Sequence, residues 1–173
     1  MTGLSTSLAL LVLLPTPPLA PDHSADAQSP GRSAFERLKS LAGTWNGKAQ
    51  HGQEGGDVTV VYKVTAGGNA VEETLFAGTP HEMVTVYHMD GDDVVLTHYC
   101  TSGNAPRMKL QAPKDPNVLL FDFTGGSNMK ESDFHMHSAR LTFVDADHFK
   151  GSWGTLKDGK PAGSADFDLA RKK

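Results

Sequence analysis

Cysteine is almost missing from this 173-residue chain. Cys100 stands alone, so no disulfide can close within the chain, in any compartment. A lone thiol of this kind is either a small buried hydrophobe or a group available to a ligand or metal. A dominant charge is missing too. Sixteen Lys and Arg meet twenty Asp and Glu, for a formal net charge of −4. The only basic cluster is Arg171-Lys172-Lys173 at the very end, which argues against nucleic acid as a partner, since such a footprint needs a basic face with interleaved aromatics. Long apolar runs are missing as well: the stretch from Leu8 to Leu14 is too short to span a bilayer. Serine nucleophile elbows, phosphate loops and dinucleotide fingerprints are also absent, and Gly125-Gly126-Ser127-Asn128 reads as a turn without the following helix that such loops require.

What the first residues do contain is an apolar core of signal-peptide length, then Pro15, Pro17 and Pro18, then a small-residue Ala25-x-Ala27 site. This pattern predicts a signal peptide over residues 1–27 with cleavage near Ala27, and hence a periplasmic or secreted protein, although no Lys or Arg precedes the apolar run. Residues 1–32 are read as leader and Pro-rich tether, and 33–173 as a single domain large enough to bury a core.

The domain opens with Phe35, Leu38 and Leu41 at i, i+3 and i+6, one face of a short helix that Ser33 can cap and Gly43 can stop. The segment runs directly into Gly43-Thr44-Trp45. Everything after it alternates in the manner of strands, punctuated by tight-turn text such as Asp90-Gly91-Asp92-Asp93 and Lys157-Asp158-Gly159-Lys160. The predicted strands are 44–50, 58–65, 70–76, 83–89, 94–101, 107–111, 118–124, 134–144, 149–156 and 165–170. Short loops between sequential strands leave no room for crossover helices and specify an antiparallel meander. Such a meander removes its edges by rolling up, with a two-sheet sandwich as the alternative. The expected fold is all-β: an antiparallel up-and-down barrel of about ten strands, closed by the short N-terminal helix with Trp45 buried against Phe35 or Leu38.

Leu41-Ala42-Gly43-Thr44-Trp45-Asn46-Gly47 resembles the opening of the calycin-like barrels, which include lipocalins, fatty-acid-binding proteins and nitrobindins. The text 81–88 and 96–100 resembles a secreted bacterial subgroup with no assigned activity. The resemblance implies a barrel with an internal cavity. Nitrobindin-like proteins carry a longer Gly-x-Trp-x-Gly-x-Gly and bind haem through a histidine near the C-terminus. Here Ala49 stands in place of the last glycine and no histidine follows His148, so haem is not expected.

Five histidines lie in or beside strands: His88, His98, His135, His137 and His148. A three-residue loop 145–147 would pair Phe143 with Phe149 and Ala139 with Trp153. Strict alternation from that register points His135 and His137 inward. Paired imidazoles at i, i+2 on a strand suit a divalent metal, for which His98, His135 and His137 are the candidate ligands. For the hairpin 83–101, one register groups Val84, Val86, His88, Leu96, His98 and Cys100. The other groups Thr85, Tyr87, Met89, Leu96, His98 and Cys100 and leaves His88 outside. Arg107 could hold an anionic group at the barrel mouth. Glu72-Glu73 puts one carboxylate on each face, so only one can be inside, and the pair reads first as solvated with Lys63; Tyr87, Tyr99 and Trp153 read as core aromatics.

The leading expectation is a barrel that binds a small, partly apolar or anionic ligand in its cavity through His98, His135, His137, His88, Cys100 and Arg107. A histidine-dependent or metal-assisted lyase, isomerase or hydrolase using the same cavity is the alternative. A structural or stress module with a filled barrel is the third.

Overall fold

The computed structural model describes residues 29–112 and 114–173; the expected leader and the expected cleavage near Ala27 lie outside the described residues. One helix, α1 (Pro30–Lys39), precedes ten strands: β1 (Gly43–His51), β2 (Glu54–Thr65), β3 (Ala70–Leu75), β4 (Met83–Asp90), β5 (Asp93–Tyr99), β6 (Ala105–Leu110), β7 (Val118–Ser127), β8 (His135–Phe143), β9 (His148–Lys157) and β10 (Lys160–Arg171). Each strand pairs antiparallel with its sequence neighbour, and β1 pairs with β10 to close the barrel. All ten expected strands are present. Among the described residues no helix is long and apolar enough to cross a membrane.

The helix starts earlier than the apolar spacing suggests. Its N-cap is Ser29, whose hydroxyl accepts from the Arg32 N–H, and Pro30 takes the first helical position, where its fixed φ and missing N–H carry no penalty. Ser33 is inside the helix and is not the cap. Gly31 sits so close to the β4–β5 turn that a Cβ there would fall 1.9 Å from the Asp92 carbonyl oxygen, so any side chain would lift the helix off the barrel end. Phe35, Leu38 and Leu41 are buried in one cluster with Trp45, whose indole N–H donates to the Leu41 carbonyl at 2.7 Å. The plug and the first strand are thereby joined by a hydrogen bond as well as by apolar contact.

Turn chemistry sets the registers. Asp90 pairs with Asp93 around the two-residue turn Gly91-Asp92, and Gly91 takes φ 60°. This choice sends Thr85, Tyr87, Leu96 and His98 to the buried face and leaves His88 outside, as in the second of the two registers considered above. Asp158 and Gly159, at φ 52° and 70°, turn the β9–β10 hairpin. Phe143 pairs with Phe149 and Ala139 with Trp153, as expected from a three-residue connection. The helix-side half of the interior is filled by rings: Trp45 packs edge-on against Phe149 at 4.7 Å, Tyr62 against Phe149 at 5.8 Å, and Tyr87 against Phe121 at 5.6 Å.

Candidate functional site at the open end of the barrel

Strict alternation along β8 fails at one residue. Ser138 pairs with Gly154, but the next ladder partner of β9, Thr155, pairs with Met136, so His137 is the extra residue of a β-bulge. The bulge sets Met136 opposite buried Thr155 and His135 opposite Leu156. A second irregularity lies across from it on β7, where Arg107 pairs with Gly125 but Met108 pairs with Phe123. The β7–β8 ladder ends at Asp122↔Ser138. Beyond that pair, at the end of the barrel away from α1, the two strands part, and the Phe123 ring stands between them with centroids 4.6 Å from His135 and 5.1 Å from His137.

The parted strands enclose a cavity of about 590 Å³ lined by Phe123, Glu131, His135, His137, Leu156 and Asp158, among others. Two hydrogen bonds hold loops around it. The Asp158 N–H donates to the Ser132 carbonyl, and the Asn104 side-chain amide donates to the Phe134 carbonyl at 2.8 Å. His135 is almost fully covered, with Nδ1 2.8 Å from the Asp133 carbonyl and Nε2 3.0 Å from Nδ1 of His137. Burial, together with the charge that His135 could carry, lowers the pKa of His137 below the ordinary imidazole value, against a raising effect of Asp122.

His98 is in a different place. It is fully buried, its ring tilted against Trp153 with centroids 4.7 Å apart. It also ends a row of polar residues that crosses four strands in register: Tyr62↔Glu73, Glu73↔Thr85 and Thr85↔His98. Tyr62 donates to one Glu73 carboxyl oxygen at 2.5 Å and Tyr87 to the other at 2.8 Å. The Thr85 hydroxyl lies 2.9 Å from His98 Nδ1. The other ring nitrogen of His98 is Nε2. That Nε2 is the one buried side-chain nitrogen or oxygen without a partner among the described residues. Burial pushes the His98 pKa down to about 4 and raises that of Glu73 despite its hydrogen bonds.

The expected histidine triad therefore divides. His135 and His137 bond one another, His98 does not join them, and among the described residues no group of three or more His, Cys, Asp or Glu side chains is placed to hold a metal ion. His88 is exposed on the outer face, as the β4–β5 turn requires. Cys100 is half-buried in the β5–β6 turn, where its N–H donates to the Asn104 carbonyl, and it has left the face of His98 because β5 ends at Tyr99. Arg107 points out to solvent from β6 and contributes to neither interior site. Tyr99, read as core, is 55% exposed. Glu72 lies opposite Lys63 as expected, but Glu73 is interior. A signal for that was present: Val71 and Leu75 share its face, so the apolar parity of the strand already pointed Glu73 inward.

Fold and site together define a closed ten-stranded antiparallel barrel with one end plugged by a helix and the other carrying a histidine-lined cavity. No protein-family model matches the chain, and no curated protein does. Among solved structures, the chain is similar to the crystal structure of Rv2717c from M. tuberculosis, with a TM-score of 0.50 and 15% identity over 81% of this chain and 98% of that one. It is also similar, at a TM-score of 0.45 and 11% identity, to a protein with unknown function of the DUF3598 family from Nostoc punctiforme, over 78% of this chain and 49% of that one. The first likeness supports the barrel fold.

Proposed function

We propose that this chain is an exported, calycin-like barrel that binds a small, partly apolar molecule in the cavity between β7 and β8. The observation that carries the reading is the His135–His137 hydrogen bond set against the Phe123 ring on the wall of a cavity of about 590 Å³. Ligand sites are concave, mostly apolar and fixed by a few polar groups, and this cavity combines Phe123 and Leu156 with two imidazoles. The rings that fill the helix-side half favour binding at the open end over a deep central cavity. Two bulges in the bordering strands are the kind of irregularity that re-aims side chains at sites. The proposal of export rests on the leader-like text before Gln28, and that of a calycin-like barrel on the Gly43-Thr44-Trp45 opening.

Fluorescence of 1-N-phenylnaphthylamine tests the site. The expected result is saturable enhancement by the wild type and affinity weaker by about tenfold or more in Ser132→Trp, which fills the cavity from an exposed loop, with an unchanged melting temperature. Equal binding by the two proteins, or none by the wild type, overturns the reading.

A further inference from the structure

We infer that the cavity between β7 and β8 selects an organic ammonium ion with an apolar body, over neutral or anionic molecules of the same shape. The inference rests on the proposed binding site and names its ligand class.

The proton positions follow from one backbone group. The Asp133 carbonyl can only accept, so Nδ1 of His135, 2.8 Å away, carries a hydrogen. In the neutral ring Nε2 then holds the lone pair, and the neighbour at 3.0 Å, Nδ1 of His137, must donate to it. That donation leaves Nε2 of His137, on a ring that lines the cavity, with its lone pair free to accept. A ligand that engages it must therefore bring an N–H or O–H group. The depressed pKa of His137 keeps this ring neutral, and so an acceptor, at neutral pH.

The charges around the cavity narrow the choice further. Glu131 and Asp158 line it, Asp122 acts on His137 from β7, and the lining includes no Lys or Arg. Neither Glu131 nor Asp158 is in an ion pair among the described residues. An anion entering here would meet two carboxylates that hold no ion pair; an ammonium group would meet two carboxylates and an imidazole acceptor. Phe123 and Leu156 supply the surface for an apolar body, and the edge-to-face arrangement of His135 and His137 extends the aromatic wall.

The test uses three probes with a common phenyl-alkyl body: 2-phenylethylamine, 2-phenylethanol and 3-phenylpropionate. Calorimetric titration of the chain lacking residues 1–27 at pH 7.5 is expected to show the amine binding about fivefold or more tighter than the alcohol, with the carboxylate weakest. In a Glu131→Gln/Asp158→Asn double variant the amine should fall to the level of the alcohol while the alcohol is unchanged. Binding of the alcohol or the carboxylate at least as tightly as the amine overturns the ligand class and leaves the site standing. Failure of all three to bind overturns the site itself. An amine preference that survives the double variant overturns the assignment to these carboxylates.

Discussion

The guanidinium of Arg171 lies 4.2 Å from the centre of the Trp45 ring, so the last strand stacks on the first where the helix meets the barrel. The same group donates to the Ala42 carbonyl at 2.8 Å, the Ser40 carbonyl at 2.9 Å, the Ala146 carbonyl at 3.2 Å and the Asp147 carboxylate at 3.1 Å. One side chain thus ties β10, the helix–β1 turn and the β8–β9 turn to the ring that anchors the plug. Arginine suits this position because its planar fork can stack and donate in several directions at once, which an ammonium cannot.

Arg171→Lys should therefore be destabilising although it keeps the charge, by about 1–3 kcal/mol. Trp45→Ala, which removes a fully buried ring and the partner of Phe149, should cost about 3–5 kcal/mol. Urea unfolding of the two variants measures both. A lysine variant as stable as wild type would reduce Arg171 to a surface charge, and a Trp45→Ala variant within a degree or two of the wild-type melting point would remove the plug from the energetics.

Residues that follow local rules were legible in the sequence, and those that depend on a neighbour's register were not. The ten strands came from alternation and turn text, and the pairing of Phe143 with Phe149 came from the length of one loop. The bulge at His137 had no local mark, because an extra residue is defined only by the strand opposite. It set Met136 rather than an imidazole opposite Thr155, and His135 and His137 do not meet His98. Glu73 was legible from the parity of Val71 and Leu75 but was outweighed by the apparent pairing of its neighbour with Lys63. Ser29 as the helix cap escaped because Pro30-Gly31 reads as linker until the first-turn preference for proline is weighed.

The interior carboxyl of Glu73 makes a prediction about alkaline rather than acid conditions. Burial raises its pKa above the unfolded value, so its contribution to stability is fully present below the unfolded pKa and is lost as pH rises through the folded one. Glu73→Gln cannot ionise and can still meet both tyrosine hydroxyls. The variant should gain stability relative to wild type as pH is raised from 4 toward 8, by denaturant unfolding at each pH. A stability difference that does not change over that range would show that the two tyrosines and Thr85 fully offset the burial.

Processing of the N-terminus is a separate matter of mass. If residues 1–27 are a cleaved leader, intact-protein mass spectrometry of material recovered outside the cytoplasm should show a chain beginning near Gln28. The helix cap at Ser29 would then lie at the very start of the mature chain. Recovery of the protein only with Met1–Ala27 attached would refute cleavage.

His98 should make stability fall on acidification. Its pKa is lowered to about 4 by burial, so the neutral ring is the form the fold accepts. A base with a depressed folded pKa contributes stability that is present above the unfolded value of about 6.5 and is lost as pH falls between 6.5 and 4. The shift corresponds to on the order of 3 kcal/mol across that window. The cost arises from placing a charge deep in the barrel beside Trp153, where burial removes it from water and Nε2 has no partner. His98→Gln keeps a polar group of similar reach and removes the titration. Unfolding free energies at pH 7 and pH 4.5 should differ less in the variant than in wild type, and equal pH dependence in the two proteins would place the acid sensitivity elsewhere in the barrel.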